Sequence, residues 1–196
     1  PRFYDVTEGN IYVDGINVKD YKLHDLHDKI GYVPQKGTLF RGTVTENIRY
    51  GNENATIEQV KEALDISQAN FVYELDGGLD YQISQGGKNV SGGQRQRLSI
   101  ARAIVKNPEI FIFDDSFSAL DYKTDKTLRM KLNKKTKNVT KVIVAQRIGT
   151  IMNAARIIVL DEGNMVGKGK HKDLLKNCQV YKEIALSQLS EEELKK

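Results

Sequence analysis

The sequence lacks the features that mark membrane-spanning or disulfide-bonded proteins. Its single cysteine, Cys178, excludes an internal disulfide and suits a reducing cytosol. The longest apolar runs, such as Ile110–Phe113 and Ile157–Leu160, are far shorter than the roughly 20 residues that cross a bilayer. No signal-peptide pattern opens the chain, and no internal repeat or low-complexity linker interrupts it. What remains is the composition of a globular domain, 39% hydrophobic and 29% charged over 196 residues.

Basic residues exceed acidic ones only slightly. The 30 Lys and Arg residues against 26 Asp and Glu residues give a net charge of +4. The basic residues are scattered rather than clustered with aromatic ones. The one dense run, Lys131–Lys137, is typical of the solvated face of a helix. We therefore expect no nucleic-acid partner.

Turn and capping patterns organise the first half of the chain. The pair Asp14-Gly15 between two short apolar stretches predicts a hairpin, and Ile30–Val33 is a short strand that ends before Pro34. The capping-box pattern, Ser or Thr followed three residues later by Glu or Gln, predicts three helices. These helices are capped by Thr43, Thr56 and Ser91. The last of them is expected to end before Pro108.

The second half of the chain alternates strands with helices. Buried strands are expected at Ile110–Phe113 and Val142–Ala145, with a helix at Tyr122–Leu132 between them. A hairpin follows around a turn at Asp161–Asn164, and the charged residues 191–196 are expected to fray. This alternation predicts an α/β fold with a mostly parallel sheet.

The segment Val90–Arg97, which reads V-S-G-G-Q-R-Q-R, is the most informative in the chain. A helix that begins with two glycines lets a ligand approach the backbone closely. Its free N–H groups and the positive end of its dipole favour an anion, above all a phosphate. The hydroxyl of Ser91 adds one more donor. An ordinary capped helix that binds nothing is the alternative.

The same segment resembles the signature motif of ABC ATPases, and Leu98–Ala103 continues the match. Two further matches follow in the expected order. The apolar strand Ile110–Phe113 ends in Asp114 like a Walker B motif, and Ser118–Asp121 is similar to the D-loop of the family. Tyr32–Gln35 resembles the Q-loop that precedes these motifs. The chain thus resembles an ABC ATPase domain along nearly its whole length.

This resemblance implies an α/β fold of the P-loop NTPase (RecA-like) type, with a mostly parallel sheet flanked by helices. Residues 1–42 and 107–196 would form the α/β core, and residues 43–106 a helical subdomain that carries the signature. ATP and Mg²⁺ are the implied ligands. The implied site residues form three groups: the catalytic residues Asp115, Gln146 and Gln35; the nucleotide-binding residues Ser91, Gly92, Gly93, Gln94 and Asp121; and the metal ligands Asp114 and Gln35.

No string in the chain matches the P-loop pattern G-x-x-x-x-G-K-[ST]. The nearest strings, residues 86–89 and 163–169, have the wrong spacing or the wrong last residue. Because Pro1–Tyr4 resembles the end of the helix that follows a P-loop, the chain is expected to start just after this motif, without the strands before it. We therefore expect the isolated chain to be inactive, and the strands Ile110–Phe113 and Val142–Ala145 to have an unpaired neighbouring edge.

Asp115 and Gln146 stand where the family has a glutamate and a histidine. The family glutamate is the general base. Asp115 is shorter by one C–C bond, about 1.5 Å, and a base must lie within about 2.6–3.2 Å of the atom whose proton it takes. Gln146 can hydrogen-bond to a phosphate but cannot carry a positive charge. The two residues together resemble the degenerate half of a heterodimeric exporter, in which one of two ATP sites hydrolyses slowly.

The resemblance also implies partners. ABC ATPase domains pack head to tail, so that the signature of each completes the ATP site of the other. A second, non-identical ABC ATPase domain and a transmembrane domain are therefore implied, and Thr43–Gly51 resembles the exporter segment that faces the latter. The chain would then lie at the cytoplasmic face of the cell membrane and power export. A soluble ABC ATPase of translation or DNA repair is the alternative, although the short interval between Gln35 and Ser91 excludes a long coiled coil.

Overall fold

The computed structural model describes residues 1–190, so the expected fraying of residues 191–196 lies outside the described part of the chain. The chain divides into two compact units, of which the first ends at Val144 and the second begins at Ala145. No helix within residues 1–190 is both long enough and apolar enough to span a bilayer.

The first unit contains seven strands and five helices within the described residues. In chain order these are β1 (Tyr12–Val13), β2 (Ile16–Asn17), α1 (Leu23–Lys29), β3 (Ile30–Val33), β4 (Gly42–Thr43), α2 (Val44–Arg49), α3 (Ile57–Ile66), β5 (Gln82–Ile83), α4 (Gly92–Val105), β6 (Ile110–Asp114), α5 (Tyr122–Lys135) and β7 (Thr140–Val144). β1 and β2 form the hairpin predicted at Asp14-Gly15. Three short 3₁₀ segments, at residues 70–74, 78–80 and 85–87, lie between α3 and α4 in the chain.

Three strands of the first unit form a parallel sheet in the order β3-β6-β7. Val33 pairs with Phe113, and Phe113 pairs with Ile143, so the carboxyl ends of the three strands meet at one edge of the sheet. This arrangement confirms the predicted α/β architecture with a parallel sheet. It also places the residues that follow β3 and β6 next to one another.

The central strand, β6, is hydrogen-bonded on both sides, so the expectation that it would have an unpaired neighbouring edge is wrong. Its two faces are both covered, as predicted. Phe111 and Phe113 are buried with their rings stacked at a centroid distance of 5.4 Å. Ile110 and Ile112 are half-buried on the other face against a smaller cluster that includes Leu26. β6 is therefore a rigid support for the residues at its end.

The neighbouring strand β7 lies at the edge of this three-stranded sheet. Val142 and Val144 remain 49% and 53% exposed on one of its faces. The prediction that this strand would be buried is therefore wrong for that face, because an apolar run does not show whether other elements of the fold cover both faces of a strand.

All three predicted capping boxes are present and begin α2, α3 and α4. At α4 the hydroxyl oxygen of Ser91 accepts a hydrogen bond from the Gln94 N–H at 3.2 Å, and the side-chain oxygen of Gln94 accepts one from the Ser91 N–H at 2.8 Å. By contrast, α1 was not predicted, because Lys22 provides no side-chain cap and the helix buries only Leu26.

Helices α2, α3 and α4 pack against one another, and α4 also packs against β3. Their buried side chains belong to one cluster with the sheet, which includes Ile48 of α2, Leu64 of α3, Leu98 of α4 and Phe113 of β6. Because helices and sheet share this core, α4 has a fixed position relative to the strand ends. The assignment of residues 43–106 to a separate helical subdomain stays a prediction.

The second unit has its own small core. The unit consists of α6 (Ile148–Ile151), β8 (Ile157–Asp161), β9 (Asn164–Gly169), α7 (His171–Asn177) and α8 (Gln179–Gln188). β8 and β9 form the predicted antiparallel hairpin. Inside the unit, His171 Nδ1 lies 2.7 Å from the hydroxyl of Tyr181. Burial raises the pKa of Tyr181 to about 12 and lowers that of His171, so both groups are neutral at physiological pH.

Candidate nucleotide-binding site

The polar residues that follow β3 and β6 meet at the carboxyl edge of the sheet. Gln35 comes two residues after the end of β3, and Asp114 is the last residue of β6. The Nε2 group of Gln35 donates a hydrogen bond to Oδ2 of Asp115 at 3.1 Å. The hydroxyl of Ser116 donates to the carbonyl of Val33 at 2.8 Å and ties the two strand ends together. The structure thus brings Gln35, Asp114 and Asp115 into one group.

Tyr32 joins this group from β3. Its hydroxyl donates a hydrogen bond to Oδ2 of Asp114 at 3.2 Å. Burial first, and then the negative charge of Asp114, raise the pKa of Tyr32, so the tyrosine remains a donor at neutral pH. No sequence pattern predicts this contact, because the pairing of β3 with β6 that sets Tyr32 beside Ile112 is a property of the tertiary structure.

Asp115 has an unusual backbone conformation. Its φ of 44° lies in the left-handed region, where aspartate is among the few side chains that occur with any frequency. The N–H of Asp115 donates to the carbonyl of Val144 at 2.9 Å, and the residue is only 9% exposed. Such strained positions cluster at functional sites, where the surrounding structure holds them. The backbone therefore presents the carboxylate of Asp115 in a fixed direction beside Gln35.

The donor set at this edge fits a magnesium ion. Mg²⁺ prefers oxygen ligands and is usually held by one or two carboxylates together with phosphate oxygens and water. Asp114 supplies a carboxylate. Gln35 uses its amide nitrogen for Asp115, which leaves its side-chain carbonyl oxygen as a possible ligand. Within residues 1–190 there is no group of three or more His, Cys, Asp or Glu residues that would hold a metal without such outside ligands.

The amino end of α4 is open to solvent. Ser91 and Gly92 are exposed, and a Cβ atom at Gly92 would meet no atom within 4 Å. Gly93 is packed more closely, because a Cβ there would lie 3.3 Å from the carbonyl oxygen of Ala119. The first N–H groups of a helix have no partner within it. With the hydroxyl of Ser91 they form a set of donors that faces outward and suits a phosphate.

Asp121 lies near this helix end but has a structural contact of its own. Its Oδ1 accepts a hydrogen bond from the N–H of Thr124 at 3.0 Å and so caps α5. Hydrogen bonds with Thr124, first with its side chain and then with its N–H, hold the pKa of Asp121 below its usual value. The contact of Asp121 with nucleotide stays a prediction.

Arg97 anchors α4, which we call the signature helix because it begins with the signature motif, to the residues that follow α3. Its Nη1 group donates to the carbonyl of Gln68 at 2.7 Å, and its guanidinium lies 4.8 Å from the ring centroid of Phe71. Burial lowers the pKa of Arg97, while the charge of Asp121 acts in the opposite direction. The position of Arg97 in the sequence motif did not reveal this bracing role.

Gln146 belongs to the second unit. Its backbone carbonyl accepts a hydrogen bond from Nε2 of Gln188 at 2.8 Å, which anchors the residue to the end of α8. The predicted catalytic role of its side chain stays a prediction.

Comparison with known proteins identifies the family. The profile described as "ABC transporter" matches residues 2–118. The chain belongs to the ABC transporter family. An ABC transporter ATP-binding protein of Mycobacterium bovis is 45% identical over 190 residues, which cover 95% of this chain and 32% of that protein. An ATP-dependent lipid A-core flippase of Photorhabdus laumondii is 40% identical over 93% of this chain and 32% of its own length. This ABC transporter chain therefore spans about a third of the length of these relatives.

A solved structure agrees with the sequence comparison. A bacterial Atm1-family ABC exporter with ATP bound superposes with a TM-score of 0.93 at 36% identity, over 97% of this chain and 34% of that one. The fold is thus that of an ABC transporter ATP-binding domain, which confirms the predicted P-loop NTPase type and the family assignment.

Proposed function

We propose that this chain is the ATP-binding and ATP-hydrolysing motor domain of an ABC exporter, in which ATP-driven pairing of two such domains moves a substrate across a membrane. The observation that carries the proposal is the open amino end of α4. Ser91 and Gly92 are exposed there, and the glycine leaves space for a phosphate to reach the backbone. The similarity to the flippase and to the Atm1-family exporter supports it.

A second ABC ATPase domain is the proposed partner at this helix end. The donors of Ser91, Gly92 and Gly93 point outward, where a phosphate held by another domain can reach them. They would stabilise the negative charge that develops on the phosphate oxygens as the bond to the leaving group breaks. In this arrangement the signature of the present chain completes the ATP site of its partner.

The site at the end of β6 is proposed to be the slower of the two. Gln35 would orient a water molecule, and Asp115 would accept its proton. Bound Mg²⁺ would neutralise charge on the transferred phosphoryl group. The carboxylate of Asp115 is shorter than the glutamate of the family and is already hydrogen-bonded to Gln35. Together with the uncharged Gln146, these features support a degenerate site and hence a non-identical partner chain.

A transmembrane domain is proposed to dock beside α2 and so to keep the chain at the cytoplasmic face of the membrane. Phe40 and Tyr50 are 41% and 61% exposed, and their rings lie 4.7 Å apart. The guanidinium of Arg102 lies 5.3 Å from the centroid of the Phe40 ring and donates to the carbonyl of Asn47 at 2.8 Å. These side chains border a cavity of about 300 Å³ that can accept an apolar side chain from outside.

The test of this proposal compares the full-length protein that contains this chain with the chain alone. The full-length protein should sediment with membranes and hydrolyse Mg-ATP there. The isolated chain has no P-loop string to hold the β- and γ-phosphates, so it should bind Mg-ATP weakly in a calorimetric titration and not hydrolyse it. A full-length protein that is soluble and active would support the soluble alternative. Micromolar affinity of the isolated chain would contradict its expected inactivity.

A further inference from the structure

Gln96 connects the signature helix to the loop that carries Gln35. The residue lies on α4 and is only 2% exposed. Its Oε1 accepts a hydrogen bond from the N–H of Gly37 at 2.9 Å, and its Nε2 donates one to the carbonyl of Pro34 at 3.0 Å. The two backbone groups lie on either side of Gln35. A single side chain therefore fixes the loop at two points and satisfies both of its own polar groups.

Gln94 and Gln96 have the same side chain but opposite directions. Two residues correspond to about 200° of rotation around an α-helix, so the two side chains project from opposite faces of α4. Gln94 caps the helix end at Ser91. Gln96 instead points into the interior toward the loop. The two glutamines of the motif thus have different structural roles: Gln94 caps the helix, and Gln96 binds the loop.

The loop lies directly on the helix at this point. A Cβ atom at Gly37 would lie 3.0 Å from Cβ of Ser99 and 3.1 Å from the carbonyl oxygen of Arg95. The loop therefore has little space to shift along α4 while the two bonds of Gln96 are intact. From the same loop, Gln35 reaches Asp115 at 3.1 Å. Movement of the signature helix and movement of the Gln35 amide are thus mechanically linked.

We propose that Gln96 is a positioning residue. It fixes the position of the Gln35 amide relative to the Asp115 carboxylate, and it couples this position to that of α4, the helix that carries the signature motif. This inference rests on the proposed function, because Gln35 and Asp115 act on nucleotide only in the assembled transporter. Gln96 itself touches no reacting atom. Its contribution is expected in turnover rather than in ATP binding.

The test uses two variants of nearly equal size in the full-length transporter. Gln96→Met removes both hydrogen bonds. Gln96→Glu keeps an acceptor for the Gly37 N–H, but its ionised carboxylate faces the carbonyl of Pro34 without a proton to donate. Turnover is measured with the faster site inactivated in the partner chain, so that the remaining hydrolysis passes through the site of Gln35 and Asp115. We expect this residual kcat to fall about 10-fold to 100-fold in both variants at neutral pH, as for other misplacements near 1 Å, while the KM for ATP changes little.

The pH profile separates positioning from mere packing. A buried carboxyl group has a raised pKa. As the pH is lowered, the glutamate takes up a proton that it can donate to Pro34. The kcat of Gln96→Glu relative to wild type should therefore rise with acidification, whereas the relative kcat of Gln96→Met should stay low. Parallel profiles for the two variants would overturn the proposal.

Ile104→Val is the matched control, since Ile104 is buried on the same helix and belongs to the hydrophobic core. It should lower the melting temperature slightly and leave kcat within about twofold, because truncation by one methylene is mild. Hydrogen exchange of the Gly37 amide gives a readout that does not depend on ATP. Faster exchange in Gln96→Met than in Ile104→Val is expected, and equal exchange would overturn the link. Absence of ATPase in the wild-type transporter would instead refute the proposed function.

Discussion

At the carboxyl end of β6 the polar side chains already bond to one another, whereas at the amino end of α4 they face open space. Gln35 reaches Asp115 at 3.1 Å, and Tyr32 reaches Asp114 at 3.2 Å. Gly92, in contrast, would have no atom within 4 Å of an added Cβ. A closed network of this kind controls the geometry of a ligand bound by its own chain. An open helix end is suited to a ligand that another molecule brings to it.

Both ends depend on the same core but on different local interactions. The end of β6 is positioned by its two paired neighbours and by the left-handed backbone of Asp115. The end of α4 is shaped by its capping box, which is formed by Ser91 and Gln94 alone. Substitutions at the two ends should therefore have different consequences, and this difference can be measured.

The largest effect is expected at the open end. Gly92→Asp places bulk and negative charge where a phosphate is to bind, and loss of such donor stabilisation typically costs about 10²-fold to 10³-fold in rate. Asp115→Ala should change turnover little, because little of the fast hydrolysis is expected to pass through that site. The measurement is steady-state ATPase of the full-length transporter with its partner, for both variants side by side.

Gly92→Ala serves as the control for this comparison. Its methyl group enters open space, so it should fold like wild type in a thermal melt. Equal and severe losses in Gly92→Asp and Asp115→Ala would refute the degenerate site and indicate two equal sites. The family assignment would stand in either case.

A smaller effect is expected from removal of the caps. Ser91→Ala and Thr56→Ala each remove one member of a capping box, and each should lower the free energy of unfolding by about 0.5–2 kcal/mol. Only Ser91→Ala should also lower ATPase activity, because α3 presents no proposed phosphate site. Urea unfolding and ATPase assays of the two variants test this pair. Similar ATPase losses in both would show that the helix end at Ser91 is important for stability alone.

The smallest effect concerns pH and Asp121. The hydrogen bonds of this carboxylate at the start of α5, first of all with Thr124, hold its folded pKa below the ordinary value of 3.8. Their contribution to stability is therefore present above that ordinary value and is lost as the pH falls through the folded pKa. Asp121→Asn should lose this part of the acid sensitivity while it keeps a capping group. Unfolding midpoints compared between neutral and acidic pH measure the difference, and identical pH dependence would contradict it.

The features that were predicted correctly from the sequence are those that depend on interactions between residues close together in the chain. The three capping boxes and both hairpin turns were predicted correctly, because each depends on residues within a few positions of one another. α1 has no such local cap and was missed. The expected burial of Val142–Ala145 was wrong for one face, since apolar composition alone does not show whether both faces of a strand are covered.

The sequence by itself determined the family, the parallel α/β architecture and the capped helix start at Ser91, because each is recorded in a short motif or in local periodicity. Only the tertiary structure decided which strands pair, and with them the contacts of Tyr32 with Asp114 and of Gln35 with Asp115. It alone showed that Gln96 bonds to both sides of the Gln35 loop. These contacts join residues roughly 60–80 positions apart, and such pairings are selected by the packing of the whole core rather than by any segment of the chain.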